Sequence, residues 1–132
     1  KIVTGTDHIV TPNQTEIYQQ YWYSKYPYNS LVELEELVET SMTKEIFSKV
    51  KQPTLLLYYY KNEKEQDNVV SVKAMKEMFT QLSTPTNLKS ELPIPNAGNH
   101  VIGGYILSKD IASVNAACVN FALNTLKMNK IK

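Results

Sequence analysis

The sequence contains few of the residues that support several common kinds of protein chemistry. Cys118 is its only cysteine, so neither an internal disulfide nor a cysteine-rich zinc site can form. This use of cysteine fits a reducing compartment and slightly favours the cytoplasm. All 14 basic residues are lysines, and 13 acidic residues nearly balance them. Without a strongly basic face or an arginine to read bases, the chain is not expected to bind nucleic acid.

Long apolar runs are absent as well. The longest, such as "PTLLLYYY", fall far short of the ~20 residues that span a bilayer. The first residues also lack the charged start and long apolar stretch of a signal peptide. We therefore predict neither a membrane span nor a signal peptide. The composition is that of one globular domain, and because the chain begins with Lys1 rather than methionine, we expect it to be part of a longer protein.

The first part of the chain mixes short strands with helices. Residues 1–12 hold two β-prone stretches around positions 5–7, which are compatible with a hairpin or with a strand and its exit loop. Asn13 can cap a helix over about 14–24, with Glu16 placed as in a capping box. The apolar residues of that helix recur at helical spacing and are Ile17, Tyr18, Tyr21 and Trp22.

A second helix is predicted after the break at "KYPYNS", with Asn29 or Ser30 as its cap. Thr43 can cap a further short helix through Phe47. The apolar face of the second helix holds Leu31, Leu34, Leu37 and Val38, with glutamates opposite. Residues 1–49 are thus expected to form a mainly helical cap or approach segment.

Residues 50–132 have the pattern of an α/β core. Residues 53–60 read as a central parallel strand buried on both faces, and "SVKAMKEMFTQLS" reads as a surface helix. A shorter strand over 89–94 contains Pro93, which favours a position near a sheet edge. The last helix, over about 109–127, is expected to bury Ile111, Val114, Cys118 and Phe121. Alternating strands and helices predict a few-stranded, mainly parallel sheet packed by helices.

Two polar residues follow the two predicted strands of this core. Asp67 comes after the strand 53–60, and His100 lies in "PNAGNHVI", after the strand 89–94. Functional residues in an open α/β sheet collect beyond the carboxyl ends of the strands, so we expect the two loops to lie side by side. A carboxylate that accepts the imidazole N–H leaves the other ring nitrogen as a general base.

Other interpretations of these residues stay open. His100 could be a loop histidine with local hydrogen bonds only. Glu63 and Glu65 occupy the same charged loop as Asp67 and could be solvated or could replace it. Asp7 and His8 together suggest a metal site, but neighbouring side chains on a strand point to opposite faces.

These motifs resemble the C-terminal part of an α/β-hydrolase. "QPTLLLYYYKNEKEQDNVVSV" is similar to the strand, acid loop and helix start of that fold, and "PNAGNHVI" is similar to its histidine loop. The last helix resembles the one that covers the sheet. The resemblance spans residues 50–127. It implies that Asp67 and His100 are the catalytic acid and base of a serine-type esterase or acyl hydrolase, without metal or organic cofactor.

The chain departs from this family in one respect. The nucleophile elbow G-x-S-x-G precedes the acid and the histidine in that family, and none of the four glycines lies in such a pattern. We therefore expect the nucleophile-bearing N-terminal half to lie upstream of Lys1 and this chain to be inactive alone. The substrate would be a small acyl compound, and the exposed sheet predicts a possible homo-oligomer. The candidate pocket residues are Tyr60, Val69, Val101 and Trp22.

A different class of function is also compatible with the sequence. A non-catalytic domain could keep a hydrolase-like topology and bind a small molecule or another chain through its pocket or sheet edge.

Overall fold

The computed structural model describes residues 7–12 and 14–129, and its fold is mixed α/β. The chain forms two compact units, Lys1–Thr43 and Lys44–Lys132. The division expected from the sequence lies six residues later, at position 49, after the short helix that opens the second unit. Each unit is described by itself below.

The first unit contains one antiparallel strand pair. Strand β1, His8–Val10, pairs with β2, Lys25–Pro27, and helix α1, Glu16–Tyr21, lies between them in the chain. Strand β1 therefore pairs with a later segment, whereas the hairpin predicted around residues 5–7 falls largely outside the described residues. Asn13, the predicted cap of α1, also lies outside them.

Helix α1 is shorter than the span 14–24 that its apolar pattern predicts. The Thr15 hydroxyl caps it by accepting a hydrogen bond from the Tyr18 amide at 3.3 Å. Trp22 already has extended backbone angles, and the Ser24 carbonyl accepts from the Thr11 amide at 2.8 Å. The chain leaves the helix early because its next residues pair with the segment around β1.

Helix α2, Tyr28–Ser41, begins one or two residues before the predicted caps. Pro27 is its N-cap and makes no side-chain capping bond, so the prediction of Asn29 or Ser30 as the cap is wrong. Ser30 instead lies in the first turn, where its hydroxyl donates to the Pro27 carbonyl at 2.6 Å. None of the residues of α2 is buried. Its predicted apolar face, including Leu34 and Leu37, is exposed.

The second unit begins with helix α3, Lys44–Phe47, where the sequence predicts one. Its remaining elements, in chain order, are β3 Thr54–Tyr58, β4 Tyr60–Asn62, β5 Glu65–Gln66, α4 Val72–Gln81, a 3-10 turn Thr86–Leu88, β6 Lys89–Pro93 and α5 Ile111–Asn124.

Strands β3 and β6 form a parallel pair. Thr54 lies opposite Lys89 at one end, and Tyr58 lies opposite Pro93 at the other. The predicted parallel relation is confirmed, and α4 lies in the connection between the strands. Burial of β3 on both faces is wrong for the described residues, because only Tyr58 of the strand is buried. Within the described chain β3 pairs with β6 alone, so its other edge has no strand neighbour there to bury it.

The best-buried core lies just beyond the carboxyl ends of β3 and β6. Ile94 and Ala97, which follow β6, are 1% and 0% exposed and pack with Val114 of α5. The half-buried residues packed against this cluster are Leu57, Tyr59 and Ile102. The loop that leads to His100 therefore starts from fully buried residues.

Helix α5 contacts the core through a narrower face than predicted. Val114 and Ala117 are buried, Ile111 and Phe121 are half-buried, and Cys118 is exposed, so the predicted burial of Cys118 is wrong.

The charged loop after β3 is more ordered than its composition suggests. Strands β4 and β5 pair antiparallel, with Tyr60 opposite Gln66 and Asn62 opposite Glu65. The Asn62 side chain closes the turn by accepting hydrogen bonds from the amides of Lys64 and Glu65. This hairpin returns the chain to the end of β3 directly before Asp67.

Gly98 provides a test of the turn after β6. Its φ of +67° is in the left-handed region, and a Cβ there would lie 3.3 Å from Cδ of Lys109. We expect Gly98→Ala to lower the free energy of unfolding by about 1–2 kcal/mol, because L-residues are strained in this region. Gly103→Ala is the matched control, since a Cβ there would contact nothing, and should change it by less than about 0.5 kcal/mol. Urea denaturation measures the free energy of unfolding of both variants. Equal losses for Gly98→Ala and Gly103→Ala would contradict the strain assigned to position 98.

Candidate functional site

Asp67 is held at the carboxyl end of β3 by its own backbone. Its amide donates to the Tyr59 carbonyl at 3.0 Å, immediately after the β4–β5 hairpin. The residue is only 8% exposed, which is unusual for a carboxylate and requires that its oxygens find partners.

Both oxygens of this carboxylate are used. Oδ1 accepts hydrogen bonds from the amides of Val69 and Val70, at 2.9 and 2.8 Å. These bonds lock the loop into a tight turn and fix the plane of the carboxylate. Oδ2 is therefore turned toward a second partner outside the loop.

The histidine loop begins from two backbone bonds at Ala97. The Ala97 amide donates to the Ile94 carbonyl at 3.2 Å, and the Ala97 carbonyl accepts from the Lys109 amide at 2.9 Å. Gly98 then reverses the chain in the left-handed region. Through this turn the chain carries His100 back toward the end of β3.

The two loops meet at one short hydrogen bond. Nδ1 of His100 lies 2.6 Å from Oδ2 of Asp67, so the expected contact between these residues is present. Their 33-residue separation spans α4 and β6, and parallel pairing of β3 with β6 brings the ends of both strands to the same edge. The catalytic role of the pair stays a prediction.

The pKa of Asp67 determines which atom carries the proton. Burial by itself raises this pKa, but the hydrogen bonds from His100, Val70 and Val69 outweigh burial and lower it below 3.8. Asp67 is therefore ionised at neutral pH and can only accept. Nδ1 of His100 must be the donor, and in the neutral imidazole Nε2 keeps its lone pair.

The His100 ring is accessible on the side away from Asp67. The side chain is 39% exposed, whereas that of Asp67 is 3% exposed. No described residue makes a hydrogen bond to Nε2. The buried carboxylate thus lies behind an imidazole whose far side is accessible.

The competing carboxylates of the same loop have other partners. Glu63 accepts a hydrogen bond from the Tyr60 hydroxyl at 2.9 Å, and Glu65 pairs with Lys61 and Asn62 on the exposed hairpin. Of the three acidic residues considered for this role, only Asp67 contacts His100.

The predicted pocket residues lie in different surroundings. Tyr60 lines an open groove of about 440 Å³ beside α4, and neither Asp67 nor His100 lines that groove. Val69 is 70% exposed next to Asp67, and Val101 is half-buried next to His100. Trp22 belongs to the first unit, where its ring stacks on Tyr18 with centroids 5.1 Å apart. A role in substrate binding stays a prediction for all four.

The described residues contain no group of three or more histidine, cysteine, aspartate or glutamate side chains placed to hold a metal ion. Among the helices of residues 7–12 and 14–129, none has the length and apolar character to cross a bilayer.

No family model matches the chain, and no curated protein or solved structure is significantly similar to it.

Sequence reasoning missed two asparagines of the histidine loop. Asn99 accepts a hydrogen bond from the Val101 amide at 2.9 Å, and the Asn96 side chain bonds to Asp110, the N-cap of α5. The available signal was the spacing, because an Asn two residues before an amide donor commonly forms such a turn.

The lowered pKa of Asp67 predicts a specific pH dependence of stability. A pKa below its unfolded value favours the ionised folded state, so this contribution is present above about pH 4 and is lost as pH falls through the folded pKa. We expect the unfolding free energy of the unsubstituted chain to exceed that of Asp67→Asn at neutral pH, and the difference to shrink below about pH 4. Urea titrations from pH 3 to 7 measure it; a difference that does not change on acidification would contradict the assignment.

Proposed function

We propose that this chain is the C-terminal part of a serine-type α/β-hydrolase and supplies its catalytic acid, Asp67, and base, His100. The reaction is hydrolysis of an ester, amide or related acyl bond in a small-molecule substrate. The hydrogen bond of 2.6 Å between the two side chains is the observation that carries this proposal.

The order of elements supports the same proposal. A strand, an acid, a helix, a second parallel strand, a histidine and a last helix follow each other as in the C-terminal half of that fold. Asp67 follows β3 and His100 follows β6, so both lie beyond the carboxyl ends of paired strands. The nucleophile, the oxyanion hole and the rest of the sheet belong to the upstream half in this proposal.

The chemistry follows from the protonation states. Nδ1–H of His100 donates to Asp67, so Nε2 is free to remove the hydroxyl proton of the upstream serine as the serine oxygen bonds to the acyl carbon. The imidazolium then returns that proton to the leaving group as the original acyl bond breaks. Nε2 next takes a proton from water as the water oxygen bonds to the acyl carbon of the acyl-enzyme. The imidazolium returns this proton to the serine oxygen as the serine–acyl bond breaks and the acid is released. The ionised Asp67 stabilises the imidazolium in both halves of the reaction.

Activity of the longer polypeptide tests this function. The first observation is the upstream coding sequence, which should encode G-x-S-x-G directly after a strand. With p-nitrophenyl acetate as substrate, we expect His100→Ala to lower kcat/KM by roughly 10³–10⁶-fold, because the nucleophile loses its base. Asp67→Asn should lower it by up to about 10⁴-fold, because an amide cannot hold the same tautomer.

Glu65→Gln is the matched control for this experiment. Glu65 lies two residues before Asp67, and its carboxylate bonds to the exposed Lys61 and Asn62 instead of to His100. We expect its turnover to be within about twofold of the unsubstituted protein. Near-normal turnover of a folded His100→Ala variant would exclude the mechanism.

One observation favours a second candidate, a non-catalytic binding or interaction domain. Helix α2 exposes Leu31, Leu34 and Leu37, each at least 45% accessible, along one face. Contiguous exposed apolar surface is typical of interaction sites. The homo-oligomer that the exposed sheet predicts stays a prediction. An upstream sequence without a nucleophile motif would favour this candidate over the hydrolase.

A further inference from the structure

We propose that Asn99 is the positioning residue for His100: its side chain fixes the backbone on which the imidazole stands, and so sets the direction of Nδ1 toward Asp67. This inference rests on the proposed function, because it assigns Asn99 a role in the same acid–histidine pair. Asn99 acts through His100 and is given no contact with substrate.

The geometry is a side-chain turn centred on the histidine. Oδ1 of Asn99 accepts a hydrogen bond from the Val101 amide at 2.9 Å, and the ring of atoms that this bond closes encloses the backbone of His100. The bond is partly buried, so water competes with it less than at an exposed turn.

This bond matters because His100 has few other restraints. No backbone hydrogen bond joins His100 itself to another described residue. The loop is anchored upstream at Ala97, through its bonds to Ile94 and Lys109, but Gly98 stands between that anchor and the histidine. On the downstream side, the bond from the Val101 amide to Asn99 is the restraint next to the imidazole.

The two members of the pair are held in the same manner. Oδ1 of Asp67 accepts from the amides two and three residues later, and Oδ1 of Asn99 accepts from the amide two residues later. Each loop is thus stiffened by a side chain that bonds to its own backbone. One turn thus holds the acceptor and the other holds the donor of the 2.6 Å contact.

An amide suits the second turn for an electrostatic reason. Asn99 offers the same acceptor oxygen as an aspartate without placing a second negative charge beside the imidazole. A carboxylate at position 99 would compete with Asp67 for the positive charge that develops on His100 during catalysis. Asn99→Asp therefore preserves the turn and changes only the charge.

Nuclear magnetic resonance of the 132-residue chain tests the inference directly. The low-field Nδ1 proton and the imidazole ¹⁵N shifts report whether His100 donates from Nδ1 to Asp67. His8 is the only other histidine, so its signals serve as an internal reference. We expect Asn99→Ala to lose the low-field His100 resonance, with His100 ¹⁵N shifts averaged between tautomers, while the amide spectrum elsewhere stays that of a folded chain.

Two variants separate positioning from general damage. Asn99→Asp keeps the acceptor oxygen and should retain the low-field resonance. Asn68→Ala replaces an exposed asparagine beside Asp67 and should leave the low-field resonance of His100 unchanged. If Asn99→Ala does not fold, Asn99→Gln replaces it, because one additional methylene displaces the acceptor without removing polarity.

In the longer polypeptide, Asn99→Ala should lower kcat by about 10–100-fold with little change in KM, and Asn99→Asp should recover part of that loss.

The outcomes distinguish this inference from the function beneath it. If the unsubstituted chain shows no Nδ1 donation from His100, the pair itself is absent and the proposed function is contradicted. If the unsubstituted chain shows the resonance and the folded Asn99→Ala or Asn99→Gln variant keeps it at full intensity, the positioning role is overturned and the pair stands.

Discussion

The parallel pairing of β3 with β6 is the constraint on which the candidate site depends. Parallel strands end at the same edge of a sheet, and the register that sets Tyr58 opposite Pro93 brings the two following loops level with each other. An antiparallel pair would separate those loops by the length of the strands. The core residues Ile94 and Ala97 then fix the second loop at the point where it leaves the sheet.

The buried carboxylate shows how local and tertiary bonds cooperate. Removing Asp67 from water is costly, and two backbone amides offset part of that cost through Oδ1. The tertiary hydrogen bond from His100 satisfies the other oxygen, Oδ2. Because the hydrogen bonds outweigh burial, the pKa of Asp67 is lowered and the carboxylate stays ionised. An ionised carboxylate that is fixed in direction can hold one histidine tautomer.

The described fold also exposes apolar surface that a small domain usually covers. The apolar face of α2 is exposed, and β3 has only one strand partner within the described residues. These features agree with the proposal that an upstream half completes the sheet. The single strand partner also explains why the sequence overestimated the burial of β3. The apolar residues of 53–60 suit a strand that is buried on both faces, but their observed exposure depends on which neighbouring strands are present.

The sequence alone was sufficient to predict α3, α4, β6 and the parallel relation of β3 to β6, because hydrophobic period and turn residues are local properties. It also singled out Asp67 and His100 by their positions after strands. Other features required the tertiary structure. The limits of α1 and α2 depend on strand β2, which pairs with a segment 15 to 19 residues earlier in the chain, from Lys25 opposite Val10 to Pro27 opposite His8. The contact of His100 with Asp67 instead of with Glu63 or Glu65 depends on the β4–β5 hairpin, and the proposed role of Asn99 depends on the direction of one side-chain oxygen. A hydrogen bond is selected by distance and angle, and only the folded chain sets these.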